Sequence, residues 1–495
     1  MNRLTDEQKD ILNTFNQSSI VSAGAGSGKT TIMIEKIMEE LKAGASLENI
    51  LALTFTNLAA GEIKQRLSSK LLEFAIESQR LDLLEQIDIL PQADISTFHS
   101  FYEKIVKKYF FVIGISPSFE IIPEQKLLAL QELSFAKATE KLKNSSMERY
   151  LALLDVLGRR RSAAAIKERI FKLDQYLSSQ FDKEKFLNEV AFKMYNNQEE
   201  AFSCFFSESY AFATKAKAEL EKLILKAKAF GEDLLCAHIN KCISLLEEFV
   251  GADYSKSFSL LLGEFKFPEL RESKTLPKTE TFLKVKDAKA IFGNYLKKFR
   301  EKNYGSFENV LSSFESCKEN IASIVELYRD YKSFLSEEKS KINMFDFSDL
   351  EEFCYQILQN QAAREEIRDK YHKIFVDEFQ DINPIQNEIL NLVSKDNNVF
   401  YVGDSKQSIY AFRQADVDIF VDTLKNFEKT EDKRSLKLTY NFRSNPKILN
   451  FVNKVFGNLM TEKSAQINYE KEAKFNLENE IIKDSKISCN EPSVK

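Results

Sequence analysis

The chain reads as an α/β protein: a parallel sheet with flanking helices, interrupted by a large all-helical insertion. Three observations predict it. Short apolar runs alternate with helical patterns near both ends of the sequence, and one of those runs breaks into a glycine-rich loop. Between them lies a long stretch of helical periodicity with no proline from Pro123 to Pro268. Taken in order, Ser19–Ser22, Ile50–Phe55 and Asp94–Thr97 are strand-like, and each is followed by a helical pattern. That alternation argues for parallel strands joined by crossovers. It returns with Lys373–Val376, Asn398–Val402 and Ser435–Leu438. In the middle, Ala216, Leu220, Leu223, Ile224 and Ala227 recur at helical spacing among Lys and Glu, as on the core face of a bundle. The switches in pattern put the expected boundaries at 1–112 and 343–434 for the α/β domain and 113–342 for the insertion. After Asn458 the sequence turns polar and loses periodicity, so 458–495 is expected to be a poorly packed tail.

Composition narrows the partners. At 495 residues the chain exceeds what one core supports, and 43% hydrophobic with 29% charged residues is ordinary for a soluble globular protein. The net charge of −5 gives no global basic field, so any binding of nucleic acid must rest on local patches. The first residues are polar and no apolar run approaches membrane-spanning length, so a cytoplasmic protein without a membrane partner is expected. The six cysteines, at 204, 236, 242, 317, 354 and 489, match no zinc spacing and suit a reducing compartment. Cys236-Ala-His238 with Cys242 is the nearest approach to a metal cluster, and on a helix it mixes core and surface positions. Arg159-Arg160-Arg161 could grip duplex phosphates, although such runs are usually solvated helix faces.

Two motifs carry chemistry. Residues 20–31 read Ile-Val-Ser-Ala-Gly-Ala-Gly-Ser-Gly-Lys-Thr-Thr. The loop Ala23, Gly24, Ala25, Gly26, Ser27, Gly28, running into Lys29, Thr30 and Thr31, can bring backbone N–H groups against phosphate oxygens. Lys29 would add a point charge for the β- and γ-phosphates, and Thr30 a hydroxyl ligand for Mg²⁺. Ala23 stands where the strict pattern has its first glycine. Downstream, Ile374-Phe375-Val376 delivers Asp377 and Glu378 at a strand end. Asp377 suits Mg²⁺ held through water, and Glu378 suits polarisation of an attacking water in ATP hydrolysis.

The loop is followed by Asp377-Glu378-Phe379-Gln380-Asp381, then Gly403-Asp404-Ser405-Lys406-Gln407-Ser408-Ile409-Tyr410, then Asn441-Phe442-Arg443-Ser444. In that order they resemble superfamily 1 DNA helicases of the UvrD/PcrA/RecB kind. The third motif, with Ser96-Thr97-Phe98-His99-Ser100-Phe101 upstream, is most similar to AddA helicase–nuclease subunits. The resemblance covers about 4–112 and 343–457 and is weak to absent in the helical insertion. It implies a RecA-like P-loop domain, with 435–457 as the truncated start of a second one. Residue by residue it implies that Gln8 reads the adenine edge and that Phe442 packs on the adenine ring. Gln380 and Gln407 would couple the γ-phosphate to movements on the DNA side, and Arg413 and Arg443 would approach the γ-phosphate. Lys29, Thr30, Asp377 and Glu378 keep the roles argued above.

On the DNA side, Thr54, Thr56 and Asn57 offer groups for phosphate oxygens and Phe55 a stacking surface, with Thr97, His99, Tyr410 and Phe412 on the same single-strand track. Relatives often hold tryptophan at the Phe412 position, and this chain has no Trp. The resemblance implies ATP and Mg²⁺ as cofactors, single-stranded or tailed duplex DNA as substrate, 3′→5′ travel, and a role in repair and recombination. It also implies an AddB-like subunit or a chain supplying the second motor domain. No later helicase motif and no nuclease constellation is visible in 458–495, so ATP binding with little unwinding is expected of this chain alone. The alternative is a non-motor module that binds ATP and single-stranded DNA for recruitment or assembly.

Overall fold

A computed structural model describes residues 4–14, 17–157, 163–460, 469, 474 and 475. The chain forms two compact units. The first comprises Met1–Ala138, Lys167–Phe181 and Tyr331–Lys495, and the second Thr139–Ile166 and Asp182–Asp330.

The first unit is built on a six-stranded sheet. Its strands are β1 (Ser18–Ala23), β2 (Ile50–Thr54), β3 (Asp94–Thr97), β6 (Lys373–Val376), β7 (Val399–Gly403) and β8 (Lys433–Leu438). The short β4 (Glu120–Ile121) and β5 (Met344–Phe345) pair separately. The order across the sheet is β3-β2-β6-β7-β1-β8, with every ladder parallel. Successive side chains on a strand point to opposite faces, and both faces are buried. Ile20, Leu51, Leu53, Ile374, Val376 and Tyr401 therefore join the core on one side. Val21, Ala52, Phe375, Phe400 and Val402 join the core on the other. Helices Phe98–Lys108, Phe347–Gln359 and Pro384–Val393 line the first face, and Lys29–Lys42 and Asn57–Ser78 the second.

Three expectations change here. Ser435–Leu438, read as opening a second domain, belongs to β8, which pairs with β1 from Ser18↔Lys433 to Ala23↔Leu438. Its Leu436 and Leu438 give it an apolar side that the existing core can cover. Residues 113–138, 167–181 and 331–342, expected in the insertion, fall in the first unit. There Lys137 pairs with Glu338 at 2.8 Å and Phe135 meets Phe171 edge-on. In the expected polar tail, Tyr469 and Phe475 are buried. The Asn453 side chain accounts for this: its Nδ2 donates to Phe475 O (2.9 Å), and its Oδ1 accepts from Phe475 N (3.0 Å) and Tyr469 Oη (2.9 Å). Most of 458–495, the Arg159–Arg161 run and Cys489 lie outside the described residues.

The second unit is helical. Helices Gln198–Ala229, Asp233–Gly251 and Glu280–Glu301 enclose a core rich in phenylalanine, including Phe206, Phe249, Phe258, Phe282 and Phe292. Ala216, Leu220, Leu223 and Ala227 are buried in it and Ile224 partly so, as the helical spacing predicts. Cys236 and Cys242 are core residues, and no cluster of three or more His, Cys, Asp or Glu placed to hold a metal forms among the described residues.

Candidate nucleotide and nucleic-acid site

The glycine-rich loop, the candidate phosphate site, follows from where β1 ends. Ala23 is fully buried in the strand and paired with Leu438, an extended position that needs no glycine. Gly26 (φ +71°) and Gly28 (φ +90°) do need to be glycine, since both are left-handed. A Cβ on Gly26 would also meet Arg443 Cβ at 2.7 Å. Ser27 braces the turn by donating from Oγ to Gly24 O at 2.7 Å. Helix Lys29–Lys42 then begins with Gly28 at its N-cap and no side-chain cap, leaving its first N–H groups free for an anion. Thr30 and Thr31, half-buried, sit in that first turn.

The acidic pair comes from β6. Lys29 Nζ meets Glu378 Oε2 at 2.5 Å, joining two segments that are 349 positions apart. Glu378 has a left-handed backbone (φ 52°), uncommon for a residue with a Cβ and found most often at functional sites. Burial, and then the neighbouring Glu378 charge, push the Asp377 carboxyl up to about 6. Asp381 is pushed up to about 6 for the same two reasons. Gln380 Nε2 donates to Glu378 Oε2 and Asp381 Oδ2, both at 3.0 Å, while its Oε1 accepts from Asp404 N at 2.8 Å. Gln407 Nε2 donates to Asp404 Oδ2 at 2.7 Å. Buried Asp404 is thus the hinge between the two glutamines, and neither it nor Asp381 is among the candidates read from sequence.

The Asn441–Ser444 segment reaches the loop directly. Phe442 N donates to Gly26 O at 2.8 Å, Asn441 Nδ2 donates to Ala25 O, and Asn441 Oδ1 accepts from Arg443 N (2.9 Å) and Ser444 N (2.7 Å). Arg443 is therefore held beside Gly26. Glu7, also missed, accepts from Thr439 N (2.9 Å) and Thr439 Oγ1 (2.6 Å) and ties the first helix to the end of β8. Gln8 spends Oε1 on Thr5 N in a capping box, and its Nε2 lies over Gly28.

The remaining candidates divide. Thr54 is buried and its hydroxyl donates to Thr56 O, so it shapes the turn and cannot meet a phosphate. Thr97 is buried too, and caps helix Phe98–Lys108 by accepting from Ser100 N. Thr56 and Asn57 are exposed at the start of helix Asn57–Ser78, and Phe55, half-buried, packs against Phe98 at 5.3 Å. Tyr410 and Phe412 come together at 5.8 Å on a tight turn, with Phe412 64% exposed. Arg413, expected at the γ-phosphate, instead has its guanidinium over both rings, at 5.2 and 5.7 Å, because that turn projects all three side chains together. His99 stacks on Phe347 at 4.3 Å, and its pKa is lowered by burial and by the Arg413 charge. Phe347 is 48% exposed and was not anticipated. Its Asp-Phe-Ser-Asp setting offers no signal without the fold that brings it to His99.

Residues 4–428 match the profile of a family described as the UvrD/REP helicase N-terminal domain. The chain belongs to that family. Among its relatives, an ATP-dependent helicase/nuclease subunit of Carboxydothermus hydrogenoformans is 32% identical over 96% of this chain and 41% of its own length. Proteins of the same description from Streptococcus sanguinis and Anoxybacillus flavithermus are each 30% identical, over 94% and 95% of this chain and 40% and 41% of theirs. The chain thus spans about two-fifths of the length of these relatives. The family match runs through the helical unit as well, where the sequence motifs are silent.

Proposed function

We propose that the α/β unit binds Mg·ATP between the 23–31 loop and Asp377–Glu378, and single-stranded DNA on the aromatic face of Phe55, His99, Phe347, Tyr410 and Phe412. ATP hydrolysis there would serve 3′→5′ travel of a DNA helicase acting on single-stranded or tailed duplex DNA in repair and recombination. The observation that carries this reading is the Lys29–Glu378 pair, which joins a phosphate-binding loop to an acidic strand end. When the γ-phosphate takes up the Lys29 ammonium, the Glu378 carboxylate is released to polarise water, with Gln380 holding its direction. The Thr30 hydroxyl and the Asp377 carboxylate are the hard oxygen donors that suit Mg²⁺, and the cation would offset the burial and the neighbouring Glu378 charge that raise Asp377. When bound there, Mg²⁺ would supply charge neutralisation for the phosphates. Arg443, beside Gly26, would add positive charge at the phosphates, and Gln8 and Phe442 would hold the adenine.

Phosphate-directed and stacking contacts predict DNA binding that is sequence-independent and salt-sensitive. A second motor domain, in the same chain or a partner, and an AddB-like subunit would complete the machine. ATP turnover by the purified chain, with and without single-stranded DNA, tests the reading. Turnover stimulated by DNA and lost in Glu378→Gln is expected. Binding of both ligands with no turnover would instead match a non-motor module.

A further inference from the structure

Behind the aromatic face lies a buried carboxylate that none of the motifs contains. Glu351 sits on helix Phe347–Gln359, four residues after Phe347 and so on the same helix face, and is 5% exposed. Its Oε1 lies 3.8 Å from His99 Nε2 and accepts from Gln386 Nε2 at 2.6 Å, while Oε2 accepts from Asn383 Nδ2 at 3.3 Å. His99 is the same ring that stacks on Phe347. Asn383 and Gln386 form the capping box of helix Pro384–Val393. That helix starts directly after the Phe379–Asp381 turn, which carries Gln380 and Asp381.

We propose that Glu351 is the positioning residue through which DNA on the His99–Phe347 face is felt at the Asp377–Glu378 acids. The inference rests on the two sites read above. A base stacking on Phe347 must tilt or displace the His99 imidazole and so change the gap to Glu351. The base of the Phe347 helix cannot absorb the change: Asp346 and Asp349 are pinned by Lys339, 2% exposed, at 2.6 and 2.7 Å. The adjustment therefore passes to the two amides that Glu351 holds. Through Ile382 they are covalently continuous with Asp381 and Gln380, whose Nε2 contacts Glu378.

The test is binding linkage in the full chain. A dye-labelled oligo(dT) is titrated with and without Mg²⁺ and a non-hydrolysable ATP analogue, and the ratio of the two dissociation constants is the coupling. Wild type is expected to show about fivefold coupling or more. Glu351→Gln should bring it below about twofold while leaving each ligand's affinity, measured alone, within about twofold. Gln386→Ala attacks the other end of the contact and serves if Glu351→Gln fails to fold. The double change Glu351→Gln, Gln386→Glu re-forms a carboxylate–amide pair in reverse and should recover coupling, which a merely structural role would not predict. Undiminished coupling in Glu351→Gln, or no coupling in a wild-type chain that binds both ligands, overturns the inference. A wild-type chain that fails to bind one ligand overturns the reading of that site, and this inference with it.

Discussion

In the helical unit, the buried side chains among the described residues are apolar or carry no more than a hydroxyl or a thiol: Thr139, Ser209, Ser257, Thr281 and Ser323 are its polar members. In the α/β unit, Lys36, Glu40, Asp94, Lys339, Glu351, Lys373, Asp377, Asp381 and Asp404 are all buried. Taking an ion out of water costs several kcal/mol even after relaxation. One unit avoids that cost, while the other carries it both beside the candidate site, at Asp377, Asp381 and Asp404, and away from it, where Asp94 and Lys373 open their strands. The contrast teaches that the helical unit is specified by packing and the α/β unit by polar arrangement. Substitutions should therefore act on them in opposite ways.

The largest effect is expected in the packed unit. Phe249 is fully buried and meets Tyr210, Phe265 and Phe292. Phe249→Ala should lower stability by about 3–5 kcal/mol in denaturant unfolding. A loss under about 1 kcal/mol would mean that this core is loosely packed.

The next effect has the reverse sign. Asp377 has a folded value near 6 against 3.8 for the free side chain, so the native chain binds more protons than the unfolded one between those values. Stability therefore falls as pH rises through that window, and the penalty is complete above it. Asp377→Asn should raise stability by about 2–3 kcal/mol near pH 7.5 and by almost nothing near pH 3.5. Equal gains at both pH values would show that carboxyl burial is not the cause.

The smallest effect belongs to the exposed aromatic face. Phe412→Ala should weaken single-stranded DNA binding by about 1 kcal/mol, the low end for one stacked base, without changing stability. Anisotropy across a salt series reads it, and strong preference for one base sequence would contradict a stacking track.

How much of this was legible follows from how each part is assembled. The sequence places each of the six strands to within two residues, most directly Ile50–Thr54, Lys373–Val376 and Val399–Gly403, since a strand buried on both faces is mainly apolar, whereas the edge strand Lys433–Leu438 is marked only by Leu436 and Leu438. The Gly24–Thr30 loop and the Asp377–Glu378 pair are contiguous, so their chemistry can be read directly. Phe347, Glu351 and Asp404 could not be read, since each gains its meaning from a partner on another element. Thr54 and Thr97 misled for a related reason: a hydroxyl beside a helix start is as useful to the turn as to a phosphate, and here the turn takes it. The boundary at 112 was misplaced because amphipathic helices look alike in either unit; contacts such as those of Phe135 and Lys137, and the pairing of Glu120–Ile121 with Met344–Phe345, distinguish them.

The central claim is that Lys29 and Glu378 form one nucleotide site across a 349-residue separation. Calorimetric titration of wild type and Lys29→Ala with Mg²⁺ and a non-hydrolysable ATP analogue tests it most directly, with circular dichroism as the check on folding. The account predicts that Lys29→Ala folds and loses about 1.5–3 kcal/mol of binding, roughly ten- to a hundredfold in affinity. A folded Lys29→Ala chain that binds the nucleotide as tightly as wild type would contradict it.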